Sequence, residues 1–281
     1  MIVYFNGTYL PKEKVQVDPD DRGFLLADGL YEAFRSYAGR LFKIEEHQRR
    51  LLHGIKALRF DQDITPDIRT IAEELLMRNR LKNEGDALIY FQITRGVAPR
   101  SHAFPSPKTP PTMYAYAKPL TSKWEEQEKG IKAATTPDIR WSRCDIKTIT
   151  LLPNTLAHQS ALEAGASEAV FIRDGFVQEG SHSNLFIVQN GVVKTPPLSN
   201  YILAGVTRRL VLDLCRSGGM EYQEIAVSLE DFYSADEIWM TGTTTEITPI
   251  IAVDGNKIGN GAPGVAARTL QKKFREVTKS F

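Results

Sequence analysis

Apolar and polar residues change their spacing several times along this chain of 281 residues, and each spacing predicts an element. Two short runs over residues 2–10 meet at Asn6-Gly7, a pair suited to the positive φ angles of a tight turn, and predict a hairpin. A second hairpin is expected from residues 31–37, a turn at Ala38-Gly39 and a return through residues 41–44. From about Glu45 the period becomes helical, with Leu51, Leu52, Ile55 and Leu58 in one stripe. Another helix starts at Pro66, a favoured first-turn residue, and turns Ile68, Ile71, Ala72, Leu75 and Leu76 inward. Residues 87–94 form an apolar, aromatic-rich strand, and residues 112–117 are its expected partner. The stretch between them, residues 95–111, holds Gly96 and five prolines and predicts an irregular loop. Loops of that length in compact domains are often functional.

The polar residues 121–129 interrupt the pattern. They are expected to join two α/β domains, residues 1–120 and 126–281, through a linker at 121–125. The second half predicts a strand at 131–135 and a helix at 154–164 closed by Gly165. Short strands at 168–172, 176–178 and 184–188 come with turns at Arg173-Asp174-Gly175 and Gln189-Asn190-Gly191. A helix runs from Val206 to Gly218-Gly219. A strand at 237–240 leads into Thr241-Gly242-Thr243-Thr244-Thr245. Residues 247–253 with Asp254-Gly255 suggest a further hairpin, and a last helix from Pro263 places Leu270, Phe274 and Val277 on one face.

Composition narrows the class. An apolar fraction of 42% and a charged fraction of 25% are those of a globular protein. The net charge of +1 gives no signature of nucleic-acid or membrane partners. No apolar run approaches the roughly 20 residues of a membrane span, and the N-terminus predicts no signal peptide. Cys144 and Cys215 make no disulfide framework, so free thiols in the cytoplasm are expected. The histidines lack metal-ligand spacing, and no metal is expected.

Several polar groups could carry chemistry. Lys147 follows Ile146 and precedes an apolar run, with Arg140 and Arg143 near in sequence. Partial burial and cationic neighbours would lower an amine's pKa and favour Schiff-base chemistry. Gly205, Val206 and Thr207 open a helix whose free amides suit an anion. The hydroxyl run 241–245 could serve the same phosphate. Glu179 could pair with a heterocyclic nitrogen and keep it protonated. In the Pro-rich loop, Arg100 and His102 could clamp a carboxylate, since a guanidinium presents two matched donors. Taken singly, each is as readily a helix cap, a turn or a solvated side chain.

Together, Asp145-Ile146-Lys147, the run from Glu179 to Asn184, Gly205-Val206-Thr207 and the run from Thr241 to Pro249 resemble the fold-type IV pyridoxal-phosphate enzymes. The runs 20–24 and 28–32 belong to the same resemblance, which covers nearly the whole chain. That family holds branched-chain aminotransferases, D-amino-acid aminotransferases and aminodeoxychorismate lyases. The resemblance implies an N-terminal α/β sandwich, a barrel-like C-terminal α/β domain and pyridoxal 5'-phosphate between them. Lys147 would hold the cofactor as a Schiff base and shuttle the proton. Glu179 would pair with the pyridine nitrogen, Leu203 would pack on the ring, and Arg50, Val206, Thr207 and Thr243 would hold the phosphate. Pro99-Arg100-Ser101-His102 is similar to the loop with which D-amino-acid aminotransferases trap the substrate carboxylate, and Tyr31 would join Arg100 and His102 there. The implied reaction moves the amino group of D-alanine or D-glutamate to 2-oxoglutarate or pyruvate, in a homodimer whose loop reaches the neighbouring subunit's cofactor. An L-branched-chain aminotransferase, a carbon–carbon lyase and a cofactor-free binding protein of the same fold are the alternatives. His182 departs from the family's turn, and Arg35 offers a second cation or an ordinary strand residue.

Overall fold

The computed structural model describes residues 1–61, 63–82 and 85–281. They form two compact units, Met1–Ser122 with Ile146–Thr150, and Lys123–Asp145 with Leu151–Phe281. The first unit holds β1 (Ile2–Phe5), β2 (Thr8–Pro11), α1 (Arg22–Leu26), β3 (Gly29–Tyr37), β4 (Arg40–Leu41), α2 (Ile44–Ala57), α3 (Ile68–Arg78), β5 (Ala87–Thr94) and β6 (Thr112–Pro119). Its six strands form one sheet in the order β2-β1-β6-β5-β3-β4, antiparallel throughout. The expected hairpin turn is present, with Asn6 at φ 46 and Gly7 at φ 89.

Strand alternation splits this sheet into two faces. Leu30, Phe34, Ile89, Phe91, Ala115 and Ala117 join Leu51 and Ile55 of α2 and Ile68, Ile71, Ala72, Leu75 and Leu76 of α3 in one core. The opposite set carries a tyrosine ladder. Tyr31 stacks on Tyr90 at 5.7 Å, and Tyr90 stacks on Tyr116 at 5.3 Å. α3 begins at Ile68 rather than at Pro66 because the Asp67 carboxylate accepts the Thr70 amide and caps it. The return strand of the second hairpin is only two residues long, since α2 already starts at Ile44.

The second unit contains α4 (Trp124–Lys129), β7 (Ile131–Pro137), α5 (Leu152–Glu163), β8 (Glu168–Arg173), β9 (Phe176–Gly180), β10 (Asn184–Gln189), β11 (Val192–Thr195), α6 (Val206–Ser217), β12 (Tyr222–Glu224), β13 (Val227–Ser228), α7 (Leu229–Tyr233), β14 (Glu237–Gly242), β15 (Glu246–Val253), β16 (Asn256–Lys257) and α8 (Val265–Ser280). Its sheet runs β12-β11-β10-β14-β15-β7-β8-β9-β13, with β16 beside β15, and curls into a half-barrel. β7 lies parallel to both β15 and β8. Leu185, Ile187, Ile238, Met240, Ile250 and Phe232 fill its core.

Three features go beyond the expected elements. Residues 124–129, read as part of a polar connection, form α4, with Glu125 and Glu126 in its first turn and Lys129 in its last, the charge order a helix dipole favours. Buried Gln127 ties it to the Thr245 carbonyl at 3.2 Å. The hydroxyl run is itself the reversal of a hairpin, because the chain passes through Thr243-Thr244-Thr245 straight from β14 into its antiparallel partner β15. Finally, Ile146–Thr150 belongs to the first unit. The Tyr31 amide donates to the Lys147 carbonyl and the Ile149 amide to the Gly29 carbonyl, both at 3.1 Å, so this segment extends the edge of β3.

Gly96 opens the Pro-rich loop at φ 95, and a Cβ there would fall 2.0 Å from the Pro110 carbonyl oxygen. Gly7 has a similar φ of 89 and open space around it. Gly7→Ala is expected to cost about 1–2 kcal/mol for the left-handed backbone, and Gly96→Ala about 1–3 kcal/mol more for the clash. Equal thermal midpoints for the two variants would show that the loop base is not close-packed.

Candidate active site

In the first unit, alternation along β3 sends Tyr31 and Glu32 to opposite faces. Glu32 is 0% exposed. His47 and Arg50, three residues apart on α2 and so on one side of the helix, both reach it. Arg50 donates from Nε at 2.7 Å and from Nη2 at 2.8 Å, and His47 Nδ1 lies 2.7 Å from the same carboxylate. Burial pushes the Glu32 carboxyl up, but Arg50 and His47 outweigh it and hold the group at about 2. Burial likewise drives the His47 imidazole below its ordinary value, opposed by Glu32 and aided by Arg50 and Lys147. Lys147 is half-buried, and its Nζ sits 4.0 Å from the centre of the Tyr31 ring. The structure therefore sets Lys147 against Tyr31, and gathers Arg50 and His47 around Glu32, the next residue of the same strand. Arg35 is committed elsewhere, paired with Asp86 at 2.5 Å and lying over Tyr37.

The loop of residues 95–111 is irregular, as expected. Arg100 and His102 are exposed on it. Among the described residues, neither makes a hydrogen bond or an ion pair.

In the second unit, Glu179 ends β9 and is 6% exposed. Its Oε1 accepts from Arg140 Nη1 at 2.5 Å, and its Oε2 accepts from Asn184 Nδ2 at 3.1 Å and from the Leu203 amide at 3.0 Å. Arg140 is itself gripped by Asp138, at 2.9 and 3.0 Å, and by the Tyr201 carbonyl at 2.9 Å. Burial raises the Asp138 carboxyl, yet its hydrogen bonds to Arg140 bring it below the usual range. Arg140 and Arg143 thus serve carboxylates, Arg143 pairing with Asp145 at 2.9 Å. Asn184 also donates to the Leu203 carbonyl at 3.0 Å, which fixes the approach to α6. No side chain caps α6, so the Val206 and Thr207 amides head a helix N-terminus fit for an anion. The hydroxyls of Thr241 and Thr245 are buried without a hydrogen-bond partner among the described residues. Unpartnered buried hydroxyls are uncommon, and a bound phosphate would offer acceptors of the kind they lack.

The turn that departs from the family pattern is held by Glu168, which is 0% exposed. Its carboxylate accepts from the Ser181 amide at 3.0 Å, from Ser181 Oγ at 2.5 Å and from Ser183 Oγ at 2.7 Å, with His182 Nδ1 at 3.4 Å. His158 Nδ1 lies 3.4 Å from Ser181 Oγ. The sequence places Glu32 and Asn184 inside the family's runs without assigning either a role, gives no role to His47 or Asp138, and sets Arg140 near the lysine in sequence, whereas the structure pairs it with Glu179. The available signals were the spacing of His47 and Arg50 and the Asp138-Ile139-Arg140 triplet.

The model of the amino-transferase class IV family matches residues 29–253. The chain belongs to the class IV aminotransferases. It is 37% identical to the D-alanine aminotransferase of Staphylococcus haemolyticus, over 99% of this chain and 98% of that one. It is 40% identical to the D-alanine aminotransferase of Bacillus licheniformis, over 96% and 95%. Among solved structures, the branched-chain amino acid aminotransferase from Thermobaculum terrenum, in its PLP form, is 27% identical with a TM-score of 0.83, covering 99% of this chain and 93% of that one. This class IV aminotransferase is a pyridoxal-phosphate enzyme.

The site generates a pH prediction. Glu32 is depressed from an ordinary 4.5 to about 2, so its contribution to stability is complete above 4.5 and disappears as pH falls towards 2. His47 is held below 6.5, so its contribution is also complete above 6.5 and declines on acidification. Glu32→Gln should cost about 3–5 kcal/mol at pH 7 by removing the buried charge that Arg50 and His47 both address. That difference from wild type should shrink below pH 4.5 in denaturant titrations. A difference independent of pH would contradict the assigned ion pair.

Proposed function

We propose that this aminotransferase moves the amino group of a D-amino acid, such as D-alanine or D-glutamate, to a 2-oxo acid such as 2-oxoglutarate or pyruvate. The observation that carries the reading is the exposed, uncommitted Arg100 and His102 on a loop built from Pro99-Arg100-Ser101-His102. A guanidinium and an imidazole in that state are available to a substrate carboxylate. The D-alanine aminotransferase relatives, alike over nearly their full length, support it.

Bound pyridoxal phosphate supplies an electrophilic carbonyl and a ring that draws electrons from the reacting carbon. The chain's own residues do the rest. Lys147 Nζ anchors the cofactor and carries the proton removed from the substrate Cα. Glu179, oriented by Arg140, Asn184 and the Leu203 amide, offers its carboxylate to the pyridine nitrogen. The Val206 and Thr207 amides and the Thr243 hydroxyl hold the phosphate, joined by Arg50, while Leu203 packs on the ring. Tyr31, Arg100 and His102 take the substrate carboxylate. Among the described residues no helix is long and apolar enough to cross a membrane, and two free cysteines suit a reducing cytoplasm.

Single-turnover conversion of the bound cofactor, followed by absorbance, should be faster with D-alanine than with L-leucine or L-valine. Faster conversion by the L-amino acids would favour the branched-chain reaction, and pyruvate release from aminodeoxychorismate without amino transfer would favour the lyase.

The protein acts as a homodimer in which Arg100 of one chain serves the cofactor bound to Lys147 of the other. Lys147→Ala and Arg100→Ala homodimers should each be nearly inactive. Mixed dimers should recover activity, up to about half of wild type, because one of the two sites regains both residues. Inactive mixed dimers of folded subunits would place Arg100 in the site of its own chain.

A further inference from the structure

The Pro-rich loop lacks regular structure, yet its working segment is tied down from below. Arg22, the first residue of α1, is 3% exposed. Its Nη1 donates to the Ser101 carbonyl at 2.7 Å and to the Ala103 carbonyl at 3.1 Å, the carbonyls of the two residues that flank His102. Its Nε donates to Asp28 Oδ2 at 2.9 Å. The same oxygen accepts from Arg95 Nε at 2.8 Å. Arg95 is anchored by the Leu58 carbonyl at 2.8 Å, and its guanidinium lies 3.8 Å from the centre of the Phe104 ring. Asp28 immediately precedes β3, three residues before Tyr31.

We propose that Arg22 is a positioning residue for substrate-carboxylate binding: the Arg22–Asp28–Arg95 cluster clamps the main chain on both sides of His102 and so fixes where the Arg100–His102 segment presents its side chains. The inference rests on the reading that Arg100 and His102 bind the substrate carboxylate. Its physical basis is the planar guanidinium. One Nη can span two carbonyls while Nε keeps its carboxylate, and a lysine ammonium cannot reproduce that fixed fork. Holding the arm in its binding geometry beforehand removes the entropy that a mobile loop would lose on each substrate encounter. The clamp works on KM, because it places a binding group and touches no reacting atom.

The test uses full-length holoenzyme carrying Arg22→Lys, with Phe104→Leu as a second variant. Phe104 is 46% exposed, so its replacement loosens the loop without opening the core. KM for D-alanine should rise about tenfold or more in Arg22→Lys and by a smaller factor in Phe104→Leu, with kcat and cofactor absorbance little changed. Half-reaction rates with D-alaninol, which lacks the carboxylate, should match wild type in both. Equal losses with D-alanine and D-alaninol would overturn the proposal by revealing general damage. Arg100→Ala separates the two readings. If it raises KM for D-alanine while Arg22→Lys and Phe104→Leu do not, the clamp alone is wrong. If Arg100→Ala leaves KM unchanged, the carboxylate assignment is wrong and the clamp falls with it.

Discussion

Taking the Glu32 carboxylate out of water costs several kcal/mol, and only the fork of Arg50 with the ring of His47 offsets that cost. The consequence is mutual. α2 cannot shift along the sheet without leaving a buried charge unmatched, and β3 cannot change register without turning Glu32 to the opposite face. Tyr31 is the next residue on β3, and the Lys147 segment hydrogen-bonds to that strand. The position of the Lys147 main chain is therefore tied to the strand that this charge pair holds in register.

The same solution recurs at two further places in the chain. Glu179 is matched by Arg140, which is matched in turn by Asp138. Asp28 is matched by Arg22 and Arg95. In each case a carboxylate with little or no exposure receives hydrogen bonds from a planar guanidinium, whose donors have fixed directions. Such pairs contribute little net stability but penalise every wrong arrangement heavily. They suit an enzyme that must hold several polar groups in fixed geometry. Glu168 performs a related task with neutral donors, setting the turn that follows Glu179 through two serine hydroxyls and a main-chain amide.

Much of this was legible in the chain. Periodicity located the helices around Leu51 and Leu75 and the strand of residues 87–94, because burial of one face imposes a regular spacing. Asn6-Gly7 announced its turn for a local steric reason. Short motifs singled out Lys147, Glu179, Gly205-Val206-Thr207 and the Arg100 loop as candidates, since each sets distinctive polar groups within a few residues. The short strands at residues 222–224 and 227–228 and the helix at 124–129 escaped, because they are too brief to show a period and are held by partners distant in sequence.

By itself, then, the sequence determined most of the local elements and the family, and singled out side chains whose chemistry suits that family, all of which depend on neighbours within a turn or a short run. Only the tertiary structure decided that Lys147 extends β3, that His47 and Arg50 converge on Glu32, that Arg140 faces Glu179 across 39 positions of sequence, and that Arg22 reaches carbonyls 79 and 81 residues away. These pairings arise from burial, which requires every enclosed charge to find an opposite charge or hydrogen-bond donors wherever the folded chain can bring them, and no local pattern records which partner that will be.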